Sequence, residues 1–198
     1  MSLVERVKRI LLSPRSEWEV IDGESSTPAA LYTGYVIPLA AIGPIAQVIG
    51  YSVLGVRVPF TGTVWRTPVG SAIIGALVTY ALTLVGVFVL AVIIDALAPS
   101  FDGTKSQIQA LKVAAYSSTA GWVVGIFALV PGLRFLGILG IYSLYLLYLG
   151  LPVLMKAPKE KAMGYTVVVI VAAIVLFMII GVVGGRFMAM PMSGMMGQ

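Results

Sequence analysis

Apolar residues fill five long stretches of this chain, and polar residues collect in the short segments between them. A membrane-crossing helix needs about 20 consecutive apolar residues. The pattern predicts spans at roughly 28 to 54, 68 to 97, 105 to 130, 133 to 155 and 162 to 185. Ahead of them, SLVERVKRILLSP places Leu3, Val7, Ile10 and Leu11 on one helical face, with Arg6, Lys8 and Arg9 elsewhere. Such a helix suits the plane of a headgroup layer, where its basic residues meet phosphates. Ser13-Pro14 pairs a cap with a first helical position and predicts a second short helix, on which Trp18 is an interface anchor. The acidic run Glu17, Glu19, Asp22, Glu24 reads as a solvated face. The expected fold class is an all-α membrane protein: a five-helix transmembrane bundle behind an amphipathic segment over residues 1 to 24.

Breaks and caps divide the apolar stretches. Thr27-Pro28 and Thr67-Pro68 open the first two spans, and Pro38 and Pro44 predict a kinked first span that faces other helices. Gly70, Ala72, Gly75 and Ala76 are small enough for a partner backbone to approach the second span closely. Pro99 ends that span, Asp102-Gly103 makes a turn, and Thr104-x-x-Gln107 has the capping-box pattern for the third. Pro131-Gly132 predicts a tight turn and an antiparallel hairpin of the third and fourth spans. Gly150-Leu151-Pro152 is expected to break the fourth span. The fifth is the most uniformly apolar and is expected to face lipid.

Composition agrees with the pattern. Of 198 residues, 59% are hydrophobic and 11% charged, and the mean hydropathy is +1.02. Soluble domains carry about a quarter charged residues. The absence of Cys and His removes disulfides, thiolate and imidazole catalysis, His-ligated haem and most zinc sites. No P-loop, dinucleotide fingerprint or paired intramembrane carboxylates appear, so no enzyme and no cofactor are expected. The net charge of +5 comes from scattered residues, which points to anionic headgroups on the cytoplasmic side and not to nucleic acid.

Lysine and arginine also set the orientation. With the N-terminus inside, cytoplasmic segments hold nine of them and the other side four: Arg57, Arg66, Arg134 and Arg186. Five spans then put the C-terminus outside. The expectation is a multi-pass protein of the cell membrane, N-terminus cytoplasmic.

Polar residues inside the apolar stretches are the candidate site. Asp95 is the acidic residue embedded in an apolar run, with Lys105 and Lys112 as expected counter-charges. The choice is between an ion pair tying the second span to the third and a proton or cation site. Gln107, Tyr116, Ser117, Ser118 and Thr119 form a polar stripe on the third span, and Gln47 is a lone amide in the first. These groups either line a cavity or bond their own carbonyls and neighbouring helices. The tail over residues 187 to 198 is Met-rich and reads as a flexible terminus. Met188, Met190 and Met192 are the one metal candidate, for Cu(I), which soft thioethers favour.

Three stretches carry a resemblance: LLSPRSEWEVI before the first span, FDGTKSQIQALKVAAYSSTAGWVVGI across the third, and YLLYLGLPVLMKAPKEKAMGY across the fourth and fifth. With their order and spacing, the chain resembles the Yip (Ypt/Rab-interacting protein) family over about residues 1 to 187, in particular its prokaryotic members. The resemblance implies five spans, a cytoplasmic N-terminus and no catalytic residues. Two features depart from it: Ala120 stands where a Pro is often expected, which puts a kink there in doubt, and the long N-terminal region of eukaryotic members is missing. Those members are associated with Rab-type GTPases and vesicle traffic. The expected role is membrane organisation or partner binding, or that of an accessory subunit of a membrane assembly. Its docking surface would be the N-terminal segment with the 98–110 loop. The alternative is a small transporter or lipid-handling channel that uses a polar cavity between spans one and three.

Overall fold

The structure, a computed structural model, describes residues 1–57 and 63–189. Five helical segments are long and apolar enough to cross a membrane: span one (Pro28–Leu54), span two (Val69–Phe101), span three (Gln107–Leu129), span four (Phe135–Leu154) and span five (Glu160–Val183). Two short helices precede them, α1 (Leu3–Leu12) and α2 (Pro14–Gly23). The bundle is all-α apart from a small antiparallel ribbon after span one, in which β1 (Val56–Arg57) pairs with β2 (Val64–Trp65). Gly55 enters that ribbon at φ 74°, and a Cβ there would lie 2.6 Å from Val64.

Span three is the hub. Within its apolar window 67% of residues are buried, against 22–28% for the other spans. Span two packs beside it and span five packs on span two, where a Cβ on Gly86 would meet Ile180 of span five at 2.7 Å. Span five has the highest hydropathy and, like span four, only 22% of its window buried. Its α-helix, Lys159–Ala189, has 31 residues, about 46 Å at 1.5 Å per residue. Span two's 29-residue helix is about 44 Å long. Both exceed the roughly 30 Å hydrocarbon core. Their ends therefore project into the interfacial layer, where the charged residues sit.

Span one bends as its prolines require. Wide π turns at Tyr32–Val36 and Gly50–Leu54 flank two α segments that contain Pro38 and Pro44. Proline donates no hydrogen bond to the ladder, so the helix rewinds around it. Span three is interrupted at Ser118, although Ala120 stands where a proline was expected. The Ser117, Ser118 and Thr119 hydroxyls all bond back to carbonyls of the preceding turn, which loosens the ladder at that point. Beyond Val124 span three continues as a 3₁₀ helix (Gly125–Leu129), and a second 3₁₀ stretch (Pro131–Ile141) leads into the α-helix Tyr142–Leu154.

Local structure differs from the sequence pattern at three boundaries. Span three is capped at Ser106 and not by a Thr104 box; the Thr104 amide instead donates to the Met155 carbonyl at 2.7 Å. Pro68 is itself the residue before span two, with no side-chain cap. Gly150-Leu151-Pro152 does not break span four, whose helix runs on to Leu154. Gly150 serves packing: a Cβ there would lie 2.5 Å from two ring carbons of Trp18. Gly150→Val is expected to displace α2 and lower stability by about 1–3 kcal/mol, the usual penalty of overpacking. Red-shifted tryptophan emission and a lower unfolding midpoint in detergent would report both effects.

Candidate site where the N-terminal hairpin meets span three

The two N-terminal helices are packed into the protein. They fold into a hairpin that packs against spans three and four, and Ile10, Trp18 and Ile21 are fully buried. Sequence pattern placed Arg6 and Trp18 at the membrane surface; both face the protein, Arg6 at 7% exposure and Trp18 at 0%. Lys8 and Arg9 remain exposed. A face with Leu3, Val7 and Ile10 has to be covered by something apolar, and span three supplies it.

Buried charge holds the hairpin. Arg6 donates to Glu17 at 2.5 Å and also to Glu24. Its guanidinium lies 5.6 Å from the centre of the Tyr116 ring, a cation–π distance. The acidic run is thus only in part a solvated face: Glu17 is 3% exposed and Asp22 pairs with Lys156, while Glu19 is exposed. Burial by itself lowers the Arg6 pKa. The Glu24 hydrogen bond and the charges of Tyr116, Glu24 and Glu17 outweigh it, and Arg6 is held above its ordinary value.

From the other side, span three reaches into the hairpin. Lys112, 3% exposed, donates from Nζ to the Ile21 carbonyl at 2.9 Å and to the Glu24 carbonyl at 2.5 Å. These carbonyls end α2, so an ammonium caps the negative end of a helix dipole. Gln109 adds bonds to the Asp22 carbonyl and carboxylate at 3.3 and 3.1 Å. The aromatic chain continues inward. Trp18 meets Tyr116 edge-on at 6.2 Å, Tyr116 packs on Tyr35 at 4.5 Å, and the Tyr35 hydroxyl bonds to that of Thr119 at 2.7 Å. A polar cavity of about 290 Å³, bordered by Ser2, Arg6, Glu24, Tyr35 and Tyr116, opens beside this network.

Other candidate residues lie apart from it. Asp95 is not paired with Lys112, which is engaged with α2, and Lys105 is exposed in the loop. One Asp95 carboxylate oxygen is buried without a hydrogen-bond partner among the described residues. Nearby, Tyr165 donates to the Ile94 carbonyl and stacks on Phe101 at 5.0 Å. Gln107 is exposed at the start of span three. Gln47 borders a cavity of about 210 Å³ with Tyr51, Gly125 and Gly137, while Ser118 borders a separate one of about 330 Å³ with Thr83 and Ser143. The expected single cavity between spans one and three is therefore split. Spans one and three touch through backbone: a Cβ on Gly125 would lie 2.9 Å from the Gly43 Cα, and one on Gly50 would lie 2.1 Å from the Ala128 carbonyl. Among the described residues no cluster of His, Cys, Asp and Glu suits a metal. Met190, Met192 and the rest of the tail lie outside the described residues, and Met188 falls in the last turn of span five's helix.

The signal missed in the sequence was Arg6. It stands one residue before Val7 and four before Ile10, on the buried side of α1, whereas Lys8 and Arg9 do not. Arg6→Met leaves Glu17 buried without its partner and is expected to destabilise by about 3–5 kcal/mol. Adding Glu17→Gln restores part of that loss. Denaturant titration of the single and double variants in mild detergent measures the coupling.

A family model described as the Yip1 domain matches residues 8–180, from α1 to span five, and takes in Trp18, Glu24, Lys112 and Gly150. No curated protein and no solved structure matches the chain. A match that extends from the second half of α1 through α2 and into the fifth span shows that this multi-pass membrane protein belongs to the Yip1-domain family.

Proposed function

We propose that the protein is a non-enzymatic membrane organiser that docks a partner protein on the surface formed by its N-terminal hairpin and the loop between spans two and three. An accessory subunit of a larger membrane assembly is one form of that role. The observation that carries it is the outward side of α1. Val4 is 76% exposed and Leu12 71% exposed, one turn to either side of exposed Lys8. Large apolar residues held outward on a helix whose other face is locked by buried charge are available for a partner to cover.

The loop extends the same surface. Asp102, Thr104 and Lys105 are exposed, Gln109 ties the start of span three to α2, and the Thr104 amide is bonded to the end of span four. Lys8 and Arg9 suit anionic headgroups at the margin of this surface. Transport through the bundle has less support, because Gln47 and Ser118 border separate cavities and the glycine contacts bring spans one and three together.

Photo-crosslinkers at Val4, Leu12 and Asp102 in native membranes are expected to trap the same partner, while one at lipid-facing Val171 does not. No adduct from any of the three positions sinks the docking reading. The Lys and Arg distribution supports a cytoplasmic N-terminus in the cell membrane. Because the chain has no Cys, single-Cys labelling tests this directly. An impermeant maleimide on intact cells is expected to modify Arg66→Cys and spare Ser25→Cys; the reverse pattern inverts the topology.

A further inference from the structure

We propose that the groove between the end of span four and the start of span five binds an anionic phospholipid, with an acyl chain in the groove and the phosphate at Lys161 and Lys156. The site adjoins the partner-docking surface proposed above at Asp102 but does not rest on that reading. Its cavity, about 480 Å³, is bordered by Tyr148, Leu149, Pro152, Val153, Ala157 and Ala162. Apart from the tyrosine hydroxyl these side chains offer no polar group, which suits a hydrocarbon chain. Lys156 and Lys161 each adjoin a residue of the groove in the chain, Ala157 and Ala162, so the apolar groove ends beside two lysines. Lys156 enters that turn in the left-handed backbone region, at φ 53°, and the chain reverses there into span five.

The two lysines are free enough to take a phosphate. Lys161 pairs with Asp102 at 2.5 Å, with side chains 48% and 59% exposed, and Lys156 pairs with Asp22 with its own side chain 55% exposed. Exposed pairs of this kind contribute little, so an incoming phosphate competes with the carboxylates on nearly equal terms. A lysine ammonium has three donors on a flexible stem and reaches a headgroup while its methylenes stay on apolar surface. Tyr148 is 43% exposed at the lipid side of the groove, where an amphipathic ring suits the headgroup level. An apolar slot between helices with lysines at its mouth is the arrangement that selects anionic over zwitterionic lipid.

Native mass spectrometry of the full chain in mild detergent, with equal phosphatidylglycerol and phosphatidylcholine of identical chains, tests the site. The wild type is expected to retain the glycerol lipid in excess, with Lys161→Gln lowering that excess about fivefold and Lys161→Arg restoring it. Asp102→Asn frees Lys161 and is expected to raise retention, whereas a purely structural pair predicts lost stability and no gain. Val153→Phe fills the groove and lowers retention of both lipids. Equal retention of the two lipids by the wild type overturns the proposal. So does an unchanged preference in Lys161→Gln, or a fall in Asp102→Asn, each verified as folded by gel filtration.

Discussion

A guanidinium and an ammonium taken out of water need partners that replace their hydration, and in this protein those partners come from segments distant in sequence. Arg6 finds Glu17 and Glu24, and Lys112 finds the carbonyls that end α2. Neither set is complete without the other, because Glu24 offers its carboxylate to Arg6 and its backbone carbonyl to Lys112. The hairpin is therefore part of the bundle and not an appendage. Trp18 against Gly150 and Ile10 in the core supply the apolar contact that a charge network cannot.

Span three stands at the centre because it answers both demands. Its first turns carry Gln109 and Lys112 toward the hairpin, and its middle carries Tyr116 and Thr119 toward span one. Its last turns carry glycines that let span one approach to backbone contact at Gly43 and Gly50. Hydroxyls that turn back on the helix satisfy themselves and interrupt it at Ser118. In the polar stripe, Ser117 and Ser118 bond back to their own helix, whereas Tyr116 and Thr119 meet Tyr35 of span one.

The two ends of the molecule are thus unlike. At the hairpin end, charges are paired, and apolar residues that remain uncovered point away from the bundle. At the ribbon end, spans one and three are packed through glycine, and short 3₁₀ stretches replace the α-helix. The partner and lipid sites proposed above both lie at the first.

Hydropathy alone determined the number of spans, their approximate limits and the all-α class, because a bilayer forces each apolar stretch of sufficient length into a hydrogen-bonded helix. The amphipathic pattern and the Ser13-Pro14 cap signal likewise established two helices before the first span. It did not decide what covers them: lipid headgroups and a neighbouring helix present the same mixture of apolar and polar atoms to Leu3, Arg6 and Trp18. Local pattern also took Gly150-Leu151-Pro152 for a break, since a missing side chain is a breaker in isolation and a niche only when a ring fills it. The pairing of Lys112 with α2 in place of Asp95 was decided by tertiary structure. Charge in a sequence has no direction, and only the packed bundle brings the carbonyls of Ile21 and Glu24 within reach of that ammonium.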